Sequence, residues 1–147
     1  MASTFTKILL HITFSTRHRA DIIAPACEER LYGYIGGICR RFESPLLSIG
    51  GTENHVHLFV SQSKNVALSN LLMELKRDSS KVMKECAPDF AWQDGYFAFS
   101  IGESASEDLL RYISRQKEHH RTESFQDEMR RILAKYNMTW DEDYIWT

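Results

Sequence analysis

The stretch NHVHLFV, residues 54–60, sets two histidines, His55 and His57, on either side of one valine inside a run that otherwise reads as a buried strand. Successive side chains of a strand point to opposite faces, and alternate ones lie roughly 6.5–7 Å apart on the same face. His55 and His57 therefore project together, while Val56, Leu58 and Val60 face the other layer. What the two imidazoles meet depends on the elements around them.

The neighbouring periodicities supply those elements. Upstream, Ile8, Leu10, Ile12 and Phe14 alternate with Leu9, His11 and Thr13, a strand pattern at about residues 6–14. Leu31, Ile35, Ile38 and Phe42 recur at helical spacing behind Pro25 and predict a helix over about 26–42. The strand LLSIGG then turns through residues 50–54 into HVHLFVS. Leu68, Leu71, Leu72, Leu75, Val82 and Met83 outline a long helix that ends before Pro88. After a turn at 92–95 comes a fourth strand, YFAFSIG, then a helix over about 105–120 with Ser104 and Glu107 spaced as a capping box. A last helix, about 123–136, precedes an aromatic tail, WDEDYIW. The order β-α-β-β-α-β followed by helices is the split βαβ arrangement of ferredoxin-like α+β folds, in which the first and third strands are central.

At 147 residues and 43% apolar content, the chain suits one core and one domain, 1–147. Its first stretch is broken by polar residues, so it reads as neither signal peptide nor membrane span, and a soluble, cytoplasmic protein is expected. Cys27, Cys39 and Cys86 are too few and scattered for a disulfide framework or a Cys-x-x-Cys metal site, and are expected to be reduced, buried and inert. A net charge of −2 excludes a broadly basic nucleic-acid coat protein. Residues 122–147 carry 3 Lys and Arg against 6 Asp and Glu, which leaves the rest nearly balanced with local basic clusters.

An isolated His-x-His more often hydrogen-bonds at a sheet rim than binds an ion, although two imidazoles on one face can converge on one. A second constellation, RYISRQKEHH at 111–120, changes the reading. On a helix Tyr112 and Gln116 stack on one face, separated by about 6 Å of rise. Leu109, Leu110 and Ile113 form the apolar stripe. By itself this is an amphipathic helix with a boundary tyrosine. Beside the histidines, it places an amide oxygen and a phenol one turn apart, next to Arg115 and His119.

Together these motifs resemble the small single-tyrosine insertion-sequence transposases (IS200 type) of the His-hydrophobic-His endonuclease superfamily. The similarity runs from LLHITFSTRHR through NHVHLFVS, LMELKRDSSKVM, WQDGYFAFSIGE and YISRQKEHH to DEDYIW, in that order. By that resemblance Tyr112 matches the nucleophile, and His55, His57 and Gln116 match the metal ligands. The family acts on single-stranded DNA with hairpin ends, usually as a homodimer in which the tyrosine helix can serve the partner's site. The chemistry suits the residue types. A phosphotyrosine ester retains the energy of the broken DNA bond, so a 3′-hydroxyl can reverse the step. Two neutral imidazoles and one neutral amide leave a divalent ion, Mg²⁺ or Mn²⁺, its full charge and open positions for phosphate oxygens. A tyrosine of ordinary pKa near 10 needs help losing its proton, and His119 is a candidate base.

Binding to DNA is expected to use local clusters, Lys76, Arg77, Lys81 and Arg115 with His119, rather than net charge. A domesticated relative acting on chromosomal repeat hairpins fits the same motifs. A histidine-triad hydrolase fits poorly, because the third alternating position holds Phe59. A non-catalytic nucleic-acid module would use Tyr96, Phe97 or Phe99 as stacking platforms.

Overall fold

The computed structural model describes residues 2–147. Strands β1 (Leu9–Ser15), β2 (Leu46–Gly51), β3 (His55–Ser61) and β4 (Phe97–Ile101) form one antiparallel sheet in the order β2-β3-β1-β4. Helices α1 (Pro25–Arg41) and α2 (Leu68–Met83) make the two crossovers, which gives the expected ferredoxin-like topology with β1 and β3 central. Three more helices follow: α3 (Ser106–Ser114), α4 (Gln116–His119) and α5 (Phe125–Lys135). No helix among the described residues is long and apolar enough to cross a membrane.

Both faces of the sheet are covered, so the two central strands are buried along nearly their whole length, their polar residues His11, Thr13, His55 and His57 included. On one face Ile12, Phe14, Val56, Leu58 and Val60 pack with residues of α1 and α2, including Leu31, Ile35, Leu71 and Leu75. On the other, Leu9 and Phe59 meet Leu109 and Ile113 of α3, while Phe99 meets Phe125, Met129, Ile132 and Leu133 of α5. Phe97 packs against this second cluster too but is only partly buried, whereas Phe99 is buried and not open for a base to stack on.

The first strand starts later than its alternation suggests. Leu9 pairs with Ser61, the last residue of β3, so the ladder has no partner strand for residues 6–8, whereas Ser15 is kept in it by pairing with His55. The predicted capping box does not form. Glu103–Ala105 make a 3-10 turn, which moves the start of α3 to Ser106 and leaves Ala105, without a side-chain acceptor, as its cap. The predicted helix 105–120 is two helices. At Arg115 (φ −104°, ψ 16°) the backbone N–H reaches back only three residues, to the Tyr112 carbonyl, and this tightened turn ends α3 before α4 begins at Gln116. At the other end of the chain, Ser124 caps α5 by accepting from the Asp127 N–H.

Two cysteines also depart from expectation. Cys27 in the first turns of α1 and Cys86 beyond α2 form a disulfide across 59 residues of sequence, because packing of α1 on α2 brings these distant positions together. Cys39 is free and buried as expected.

At Gly50 the tyrosine-bearing helix packs backbone to backbone against the sheet. A Cβ built there would stand 2.4 Å from the Ile113 carbonyl oxygen, a backbone atom of α3. Gly50 is also the residue on β2 opposite His57. The absent side chain lets α3 lie directly on β2, the edge strand beside the histidine strand.

Candidate active site

β3 presents His55 and His57 to the face covered by α3, α4 and α5, and both are fully buried. The Nδ1 of His55 lies 2.7 Å from Asn54 Oδ1 and 3.1 Å from Thr52 Oγ1. Its Nε2 lies 3.0 Å from Gln116 Oε1. The amide of Gln116 is oriented by its other end, which donates to Glu128 Oε2 at 2.9 Å. Burial first, then the neighbouring His57, lowers the His55 pKa to about 3, so the ring is neutral near pH 7 and has one proton. That proton cannot serve both Asn54 Oδ1 and Gln116 Oε1, and whichever contact lacks it brings two lone pairs together. A cation between Nε2 and Oε1 would resolve the conflict.

His57 sits against His11, with Nδ1 2.7 Å from His11 Nε2, and its own Nε2 is 3.0 Å from Glu128 Oε1. His11 occupies the same sheet face one strand over, and burial followed by His57 lowers its pKa to about 3. Glu128, on α5, is fully buried at the centre of the group. Besides His57 and Gln116, it accepts from the Tyr112 hydroxyl and contacts His120 Nε2 at 2.9 Å. Burial opposes its charge, but hydrogen bonds from His120 and His57 outweigh that and hold the carboxyl far below the usual range. His120 Nδ1 faces the Glu123 carbonyl at 2.6 Å. Burial disfavours its charge, but the Glu128 contact outweighs this and raises its pKa.

Tyr112 is half-buried, with its ring centroid 5.8 Å from that of His57. Its oxygen accepts from Arg131 Nη2 at 3.0 Å, and the guanidinium lies over the ring. Burial, then the charge of Glu128, raises the phenol pKa. The His119 ring stands beside the phenol, centroids 5.6 Å apart, with Nε2 2.6 Å from Glu123 Oε1. The hydroxyl's own partners are Glu128 and Arg131. Outside Tyr112 opens a cavity of about 660 Å³ lined by Arg111, Arg115, His119 and Arg121 among others.

The structure thus gathers Tyr112, His55, His57 and Gln116, with Arg115 and His119 at the cavity beside them. It does not gather Lys76, Arg77 and Lys81, which lie on α2 beneath the opposite face. Lys76 donates to the Gln93 and Gly95 carbonyls, and Arg77 pairs with Glu74 and Asp78. Sequence reasoning missed Glu128, His120 and His11. Glu128 had a signal: it falls on the apolar stripe of α5 between Phe125 and Met129, Ile132 and Leu133, where a carboxylate needs a reason to be.

His55, His57, His120 and Glu128 each offer a ligand atom, all within 4.8 Å of one another, so this donor set fits a divalent ion. For the metal-free protein the electrostatics have a sign. Between pH 6.5 and about 3 the unfolded chain takes up protons on His11 and His55 that the native state refuses, so stability falls as the pH drops through that window. Glu128, held ionised, works in the same direction at lower pH, and His120 opposes. The thermal midpoint should therefore fall from about pH 7 to about pH 4, with a shallower slope in His11→Gln. A flat or rising midpoint would contradict the assignment.

A family model described as "Transposase IS200 like" matches residues 4–116. A solved structure of a protein assigned as a transposase from Deinococcus radiodurans R1 is 17% identical with a TM-score of 0.64, covering 79% of this chain and 95% of that one. The structure of a REP-associated tyrosine transposase bound to a REP hairpin is 15% identical with the same TM-score, covering 82% of this chain and 73% of the other. At these identities the likeness is one of fold. No curated protein matches the sequence.

Proposed function

Given that this chain belongs to the IS200-like transposase family, we propose that it cuts and rejoins single-stranded DNA through a covalent bond between Tyr112 and a 5′ phosphate. In this reading His55, His57 and Gln116 hold a divalent cation, Mg²⁺ or Mn²⁺. The observation that carries it is the placement of the Tyr112 ring beside buried His57, with the Gln116 amide oxygen 3.0 Å from Nε2 of the neighbouring buried His55. When bound, the ion would polarise the scissile phosphate and offset charge on its oxygens.

The remaining work falls to the chain. The Tyr112 phenol gives up its proton to solvent and its oxygen attacks phosphorus, the bond to the 3′ oxygen breaks, and that oxygen takes up a proton from water and leaves as a 3′-hydroxyl. Arg131, donating to the phenol oxygen, favours the phenolate against the burial and negative charge that resist it. Glu128 holds the hydroxyl on the side of the histidines. Arg111, Arg115 and Arg121 around the outer cavity suit a phosphate backbone leading to Tyr112. The substrate is DNA with hairpin ends, and the proposal implies a cytoplasmic location. Incubation with single-stranded DNA carrying such an end, with Mn²⁺, should give a protein band shifted by covalently attached DNA on a denaturing gel. A panel of hairpin substrates all cut without any adduct would refute the tyrosine chemistry.

The proposal includes a homodimer. Trp146 of the tail packs against Phe97 and Phe125 of its own chain, but Tyr144 stays 73% exposed and Met138 47% exposed. Sedimentation at micromolar concentration should return twice the chain mass. A monomer that still forms the adduct would overturn this, and Tyr112 already meets the His57 of its own chain.

A further inference from the structure

We propose that Glu128 is a fourth protein ligand of the divalent ion, so that α5 contributes an anionic oxygen to the site, and that His120 holds this carboxylate in place. The inference rests on the reading of His55, His57 and Gln116 as ligands and extends it to a part of the chain beyond residue 116, where the family match ends.

Glu128 is a charge with no permanent cation. It is fully buried, and its partners are His57, His120, Gln116 and Tyr112, with His55 Nε2 at 3.6 Å. The nearby guanidinium of Arg131 is used by Tyr112 and Glu123 instead. Taking a carboxylate out of water costs several kcal/mol unless a compensating charge goes with it. A divalent ion at the point where Glu128 Oε1 meets the imidazoles would supply that charge.

The spacing agrees. Around an ion with ligands at about 2.1 Å, adjacent donors stand about 3 Å apart. His55 Nε2 to Gln116 Oε1 is 3.0 Å, and His57 Nε2 to Glu128 Oε1 is 3.0 Å. The ligand set would then be two imidazoles, one amide and one carboxylate. It cancels one of the ion's two charges and, through its nitrogen donors, favours Mn²⁺ over Mg²⁺. His120, bridging the Glu123 carbonyl and Glu128 Oε1, fixes the carboxylate in the way that outer partners orient metal ligands.

The test is Mn²⁺ binding to the intact chain without DNA, read from the electron paramagnetic resonance signal of the free ion. Glu128→Gln keeps the shape and removes the charge, and its affinity should fall roughly tenfold or more. His57→Ala should lose binding altogether. If Glu128→Gln binds Mn²⁺ as tightly as the unaltered chain while His57→Ala does not bind, Glu128 is not a ligand although the histidine site stands. If both variants bind normally, the metal reading beneath it fails as well. Because Glu128 is buried, its variant could misfold. A crystal of the unaltered protein with Mn²⁺ decides independently: an anomalous peak at bonding distance from both His57 and Glu128 supports the proposal, and a peak or empty site away from Glu128 overturns it.

Discussion

Tyr112→Phe should abolish the covalent protein–DNA adduct, a loss on the order of 10⁴ or more in rate, since removal of a nucleophile leaves only binding and electrostatic contributions. The ring remains, so its edge contacts with His57 and His11 persist. What is lost is one hydroxyl that donates to Glu128 and accepts from Arg131. Two hydrogen bonds to charged groups at a half-buried position cost about 1–3 kcal/mol when one partner is deleted. The variant should therefore fold, bind Mn²⁺ and bind DNA, yet give no shifted band. An adduct from Tyr112→Phe would transfer the role to another tyrosine such as Tyr96, which lies in a separate cavity with Phe97 and Trp146.

Gly50→Ala should come second in size, though it removes nothing. Its Cβ would stand 2.4 Å from the Ile113 carbonyl oxygen and 3.0 Å from the Ile113 Cγ2. The first of these is backbone, which cannot rotate away, so α3 must lift from β2. Overpacking of this kind costs about 1–3 kcal/mol. Tyr112 is the residue preceding Ile113 and moves with it, and a displacement near 1 Å at a reacting group can lower the rate by about 10². Denaturant unfolding and the rate of adduct formation measure the two effects. Gly33→Ala supplies the control, since a Cβ there, inside α1, meets nothing within 4 Å and should be neutral or slightly stabilising. Equal behaviour of the two variants would show that the close approach at Gly50 does not position the helix.

The periodicities carried the architecture because each element buries a face whose period is its own. β1 and β3 could be placed centrally from the order of elements, and His55 and His57 could be placed on one face from strand alternation. Tyr112 and Gln116 came together for a reason only partly legible. Their spacing suggested one helix, whereas the break at Arg115 assigns them to two, and what keeps Gln116 inward is its pair of bonds to His55 and Glu128. Glu128 and His120 escaped because local pattern says nothing about which distant strand a helix will cover. A carboxylate on an apolar stripe is a local anomaly, but its partners lie 71 residues away at His57 and 16 away at Tyr112. The pairing of Cys27 with Cys86 was illegible for the same reason, being a product of helix packing.

That pairing has a consequence for how long the fold survives. It joins two points 59 residues apart in the helical layer on the side of the sheet away from the histidines. In the unfolded chain it closes a ring, and the chain entropy thereby withheld is worth on the order of 4 kcal/mol. Domains of this kind are held by only about 5–15 kcal/mol in total. A thiol-rich compartment such as the cytoplasm opens such rings. The redox poise of the surroundings would then set how much of that margin the fold keeps.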